Sequence, residues 1–201
     1  MKRLVIPGEI LADKPLRLDH TLVEDGKTCS TIIGLFDDQA GSFIPIEGLW
    51  YPQPGEKVVG IVDEARLNTD SINLNAPYKG LIISKFTEGN LVNGDIIEAT
   101  VKDLDKTGTV VLVRPRPLYG GKVLAIKPSK VPRLLGKNDT MIKQIAEGTK
   151  SSISVGMNGL VWVKGGNSDL ATDAILKIQE EAHVSGLTER IAKMVGASNQ
   201  M

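Results

Sequence analysis

The chain has 201 residues, 41% of them hydrophobic and 24% charged, with 24 Lys+Arg balanced by 24 Asp+Glu. This composition is that of an ordinary globular chain and argues against disorder, and the length leaves room for one large domain or two to three small ones. No apolar run approaches the roughly 18 residues that cross a bilayer, and the lone Cys29 excludes disulfide frameworks and cysteine zinc sites. The first apolar stretch breaks at Pro7-Gly8-Glu9, unlike a signal peptide, so a cytoplasmic protein with no membrane contact is expected.

Zero net charge argues against nucleic acid, but its distribution does not. Residues 1–56 carry 5 Lys+Arg against 9 Asp+Glu, residues 57–119 carry 8 against 8, and residues 120–201 carry 11 against 7. Within 122–150 the ratio is 7 to 2. An acidic first part and a basic last part suit different partners.

Short β-rich runs at 4–6, 29–35 and 42–46, separated by Gly and Pro, predict a small N-terminal barrel or sandwich over residues 1–56. Pro7-Gly8-Glu9 and Pro54-Gly55-Glu56 read as turns that lead into strands, since Pro fixes φ and Gly permits positive φ. From 57 to 117 five more strands are predicted, at 57–64, 71–74, 80–84, 96–101 and 109–113, a size and rhythm that suit an OB barrel. Gly94-Asp95 before the fourth strand, and a polar turn before the fifth, resemble the RNA-binding OB domain named after ribosomal protein S-one. Pro115, Pro117 and Gly120-Gly121 mark a boundary.

Beyond it, over 118–201, the period changes to that of an α+β domain. A strand at 122–126 precedes a short helix at 129–135, with Pro132 in its first turn where a missing N–H is harmless. A second helix at 139–150 aligns Met141, Ile142, Ile145 and Ala146. A hairpin at 153–155 and 160–163 turns on Asn158-Gly159. A last helix begins near Ser168, with Leu170, Ala174, Ile178 and Ala182 stepping by four. The order β-α-α-β-β-α is that of a type I KH domain, and the fold class as a whole is mainly β with an α+β C-terminal domain.

Between the two short helices stands Gly136-Lys137-Asn138-Asp139, where KH domains place a Gly-x-x-Gly loop that clamps about four nucleotides. Gly136 lets a phosphate approach, Lys137 adds charge, and the next helix N-terminus offers free N–H groups. Lys130, Arg133 and Lys143 widen the basic patch around Asn138. Asp139 replaces the second glycine with a carboxylate, and reads as an N-cap worth about 1 kcal/mol. On that reading Asp139→Gly lowers stability slightly and tightens RNA binding, while Lys137→Ala weakens binding. In the barrel, Tyr78 is a candidate for base stacking, and Lys79, Lys85, Arg114 and Arg116 for phosphate pairing. Phe86 and Trp162 read as core. His20 and His183 fit no acid-base or metal pattern, and no catalytic or cofactor motif is present.

The run Lys127-Pro128-Ser129-Lys130-Val131-Pro132-Arg133-Leu134-Leu135-Gly136-Lys137, then Met141-Ile142-Lys143, resembles the KH segment of the KH-containing cap protein of the archaeal RNA exosome. Val155-Gly156-Met157-Asn158-Gly159 with Val161-Trp162-Val163 resembles that family's Gly-x-Asn-Gly hairpin. Val5-Ile6-Pro7-Gly8-Glu9, Tyr51-Pro52 with Pro54-Gly55-Glu56, and Asn75-Ala76-Pro77-Tyr78 resemble its first two domains in order. Asp139 is the main departure.

The resemblance implies a non-catalytic, cofactor-free, metal-free subunit that binds RNA and sits on a hexameric ring of RNase PH-like phosphorolytic subunits. It implies a homotrimer, or a mixed trimer with the zinc-ribbon cap protein, whose N-terminal domain docks on the ring while the chain delivers RNA 3′ ends. The alternative is a free-standing OB/KH factor of transcription or translation. A fragment of polynucleotide phosphorylase would place KH before OB, the reverse of the order here.

Overall fold

Turn chemistry organises the N-terminal residues. β1 (Lys2–Val5) pairs with β5 (Gly34–Asp37), which pairs with β6 (Ser42–Pro45). A second sheet joins β2 (Ile10–Ala12), β4 (Lys27–Ser30) and β3 (Thr21–Glu24), in that order. Pro7-Gly8-Glu9 carries the chain between the sheets. Gly8 at φ 86° donates its N–H to Ser30 O at 2.7 Å, and Ser30 donates to Glu9 O at 3.0 Å. The run expected at 29–35 is thus two strands of different sheets, parted around Ser30, whose hydroxyl and carbonyl serve local bonds. Between β3 and β4 the dipeptide Asp25-Gly26, both at positive φ, makes a tight hairpin of the kind that right-twisted strands favour. Val5, Leu11 and Phe36 form the small core, and the Arg3 guanidinium lies 5.6 Å from the Phe36 ring centre.

The computed structural model describes residues 2–16, 18, 20–46, 48–83, 91–105, 107–181 and 186–197, within two compact units, Met1–Leu49 and Trp50–Met201. In the second unit β7 (Lys57–Ala65), β8 (Thr69–Asn73), β9 (Lys79–Ile83), β10 (Ile96–Leu104) and β11 (Thr109–Leu118) close into a barrel, ordered β10-β11-β9-β8-β7. Every pair is antiparallel except β9 with β11. Gly60 and Gly80 let the strands crowd Ile72, since a Cβ would lie 2.3 Å and 3.0 Å from its side chain. Trp50 belongs to this barrel, buried in its core and donating its indole N–H to Glu56.

The remainder is a three-stranded sheet with helices on one face. β12 (Lys122–Ala125), β14 (Leu160–Lys164) and β13 (Ser152–Val155) pair in that order. A 3-10 turn (Pro128–Lys130) leads into α1 (Val131–Leu135), and α2 (Thr140–Thr149) follows. α2 buries Met141, Ile142, Ile145 and Thr149, with Ala146 at the margin. The expected last helix is two: α3 (Ser168–Glu180) and α4 (Leu187–Ala197). On α3 the buried stripe is Ala171, Ala174, Ile175 and Ile178, and Leu170 lies at its edge rather than within it. Ala182, Phe86, Lys85 and His183 lie outside the described residues. α4 crosses α2 so closely that a Cβ on Gly148 would sit 1.9 Å from Val195.

The barrel and this sheet share one packed seam. Cross-strand pairing puts Ser154, Trp162 and Val123 on the sheet face away from the helices. Trp162 and Leu160 pack there against Val59 and Leu118 of the barrel, with Ile96 and Val123 at the rim. Both faces of β14 are therefore covered, which is why Leu160, Val161, Trp162 and Val163 are all buried without alternation. No helix among the described residues is long and apolar enough to cross a membrane.

Candidate nucleic-acid interface

Gly-x-Asn-Gly in the β13–β14 hairpin locks the seam. Asn158, 1% exposed, donates from Nδ2 to Val59 O at 2.7 Å and to Leu74 O at 2.8 Å, and accepts from Val59 N at 3.2 Å. Both amide donors and the carbonyl are thus satisfied by barrel backbone. Met157 N donates to Lys57 O at 2.9 Å. A Cβ on Gly156 would stand 2.5 Å from Val59 N, and one on Gly159 would stand 2.3 Å from Ile126 O, so neither position admits a side chain without movement. The hairpin is a structural clamp into the barrel.

The helical corner faces the other way. Gly136 sits at φ 72°, ψ −175°, a region open essentially to glycine alone. Asn138 and Asp139 follow in the left-handed region, at φ 55° and φ 60°. Lys143 Nζ reaches Asn138 O at 3.5 Å, which brings α2's first exposed cation to the loop. Arg133 at the end of α1, Lys137 and Asn138 are exposed, and Lys130 is half-buried at the start of α1. The expected cap fails. Asp139 occupies the N-cap position of α2, but its side chain accepts no bond from the helix, because capping needs an extended backbone and Asp139 is left-handed. Its carboxylate is exposed beside the loop.

That geometry reverses one expectation from the sequence. A left-handed non-glycine residue costs on the order of 1 kcal/mol, so Asp139→Gly is expected to raise stability by about that amount rather than lower it. It should also tighten binding of a short single-stranded RNA by removing a carboxylate from the phosphate path. Lys137→Ala should weaken binding and flatten the log-log salt dependence by about 0.7. Titration at several salt concentrations, with thermal melts of the same variants, checks both; unchanged affinity and slope in both variants would make the loop a scaffold.

The barrel candidates are less uniform. Tyr78 is half-buried, edge-on to Trp50 at 6.3 Å and to Tyr51 at 6.0 Å between ring centres. Its ring serves packing first, and Tyr51, half exposed, carries the cluster to the surface. Lys79 is exposed at the first position of β9, in register with Asn73 and Thr109. Arg114 sits at φ 52° where the register slips between Thr100↔Val113 and Glu98↔Arg116, a bulge that re-aims its exposed side chain. Arg116 pairs with Glu98 at 3.2 Å, and the same half-buried carboxylate takes the Ser154 hydroxyl from the neighbouring sheet, with Lys57 Nζ 3.9 Å away. Arg116 is therefore partly neutralised at the seam. Tyr51 and the Glu98 junction were not legible in the sequence, since both depend on which strands pair. Among the described residues no group of acidic, His or Cys side chains is arranged to hold a metal.

A KH domain model matches residues 121–169. Exosome complex component Rrp4 of Pyrococcus furiosus is 34% identical, over 96% of this chain and 83% of that protein. The protein of the same name from Methanobrevibacter smithii is 37% identical over 94% and 70%, and that of Saccharolobus solfataricus 31% over 96% and 88%. A crystal structure of a protein provisionally identified as an exosome complex RNA-binding protein superposes with a TM-score of 0.67 at 30% identity, over 76% of this chain and 98% of that one.

Proposed function

The chain belongs to the Rrp4 family of exosome complex components, and from that premise we propose that it is a non-catalytic RNA-binding subunit that caps a phosphorolytic ring. The observation that carries this reading is the pairing of a closed five-stranded barrel with a KH domain in one compact unit, clamped through Asn158. Such a body can hold a single strand along two surfaces at fixed spacing. We assign RNA contact to the loop around Gly136, Lys137 and Asn138, with Lys130, Arg133 and Lys143 beside it, and to Lys79, Arg114, Arg116 and Tyr78 of the barrel. Lys85 keeps the assignment on sequence grounds alone.

The partners we propose are RNase PH-like ring subunits, with three copies of this chain, or a mixture with the zinc-ribbon cap protein, around the entrance. The first unit suits docking. It holds 5 Lys+Arg against 8 Asp+Glu over residues 1–49, a poor charge for RNA. It also exposes an apolar row: Ile10, Cys29 and Leu22 are cross-strand neighbours over β2, β4 and β3, with Ile10 and Leu22 exposed. Delivery of RNA 3′ ends to the ring, in the cytoplasm, completes the proposal.

The chain itself should neither hydrolyse nor phosphorolyse RNA. Purified protein incubated with labelled RNA and inorganic phosphate is expected to release no nucleoside diphosphate; release that persists through repeated purification would overturn the non-catalytic reading.

A further inference from the structure

Tyr119 stands apart from the rest of the second unit. It is 71% exposed, and among the described residues no other large apolar side chain between Val92 and Leu176 is exposed. It directly follows β11, on the connector that leads from the barrel to β12.

That connector is held firmly. Trp162, buried in the seam, donates its indole N–H to Gly120 O at 2.6 Å. Gly121, at φ 82°, lies so close to β14 that a Cβ would stand 2.5 Å from Val163 O and 2.9 Å from the Trp162 indole nitrogen. Among the described residues only Lys164 approaches the open side of Gly120: its Cε and Nζ lie 3.7 Å and 3.8 Å from where a Cβ would be. Lys122 is already engaged with Asp169 at 2.7 Å, and that hydrogen bond and charge hold the Asp169 carboxyl below the usual carboxylate range. Lys164 is exposed and makes no ion pair among the described residues, so its charge is available over the Gly120 backbone, one residue from Tyr119.

We propose that Tyr119 and Lys164 form a single-stranded RNA contact at the junction of the barrel and the KH domain, the ring stacking on a base and the ammonium pairing with a phosphate. This rests on the reading of the chain as an RNA-binding subunit and extends it to the connector that joins the barrel to the KH domain. An exposed aromatic on a firmly held connector, with a free cation over the adjacent glycine backbone, is what sequence-tolerant strand binding uses. Protein docking needs a contiguous apolar patch, and the connector offers none.

The test titrates full-length protein with a short labelled oligoadenylate. Tyr119→Ala should weaken binding about 5- to 100-fold with an unchanged melting temperature, and Tyr119→Phe should bind as the wild type, since stacking needs only the ring. Lys164→Ala should lower the log-log salt slope by about 0.7. If the wild type binds the oligonucleotide and Tyr119→Ala and Lys164→Ala match it, this contact is wrong while the RNA-binding reading stands. If the wild type binds no RNA, the reading itself fails and takes the contact with it. If Tyr119→Ala keeps RNA affinity but loses association with ring subunits, Tyr119 is a protein contact and the proposal is overturned.

Discussion

Asn158→Ala should be the most damaging single substitution in the chain, lowering stability by about 3–5 kcal/mol. The side chain satisfies Val59 N, Val59 O and Leu74 O at once, all buried in the barrel wall. Removing it leaves three backbone groups without partners, each costing about 1–3 kcal/mol, less whatever water can enter the void. Asn158→Asp isolates hydrogen bonding from volume. A carboxylate can still accept from Val59 N but faces two carbonyls it cannot satisfy, so it too should destabilise severely. The clamp joins two halves, so denaturant unfolding of the second unit should also lose cooperativity and separate into barrel and KH steps. A loss below about 1 kcal/mol, with a single transition retained, would show that apolar packing of Trp162 and Leu160 holds the seam alone.

Removal of the first unit should have the largest effect on assembly. The cut belongs before Trp50, because that ring fills the barrel core and its N–H bonds Glu56; a chain begun at Lys57 would open the barrel. Protein starting at Trp50 should fold, bind short RNA with near wild-type affinity, and lose ring association by on the order of 100-fold or more. That loss equals about 2.7 kcal/mol, which two well-buried apolar anchors can supply. Ile10 and Leu22 are the anchors to replace singly with Ser in the intact chain. Ring binding retained by the shortened protein would move the docking surface onto the barrel or the KH domain.

Much of this architecture was legible because local patterns agreed with it. Short apolar runs punctuated by turns marked the five barrel strands, and the change of period after Gly120-Gly121 marked the α+β part. The failures share a cause, which is that tertiary partners are invisible in a linear pattern. Asn158-Gly159 read as a turn, but nothing nearby revealed that Asn158 reaches Val59 and Leu74 across the seam. Asp25-Gly26 carries a hairpin signal, but the short runs on either side of it have too weak a period to mark the strands it joins. Asp139 read as a cap because composition speaks to preference, whereas its left-handed backbone follows from how α1 and α2 meet at Gly136. Gly186, at φ 73°, signals the break between α3 and α4 among the described residues, and the close packing of α4 on α2 needs Gly148, distant in sequence.

Affinity purification of the tagged full-length chain from its native cells, followed by identification of stoichiometric partners, tests the central claim most directly. Recovery of RNase PH-like ring subunits is the predicted result. Recovery of RNA polymerase or ribosomal proteins, with no ring subunits, would contradict it and favour a free-standing factor of transcription or translation.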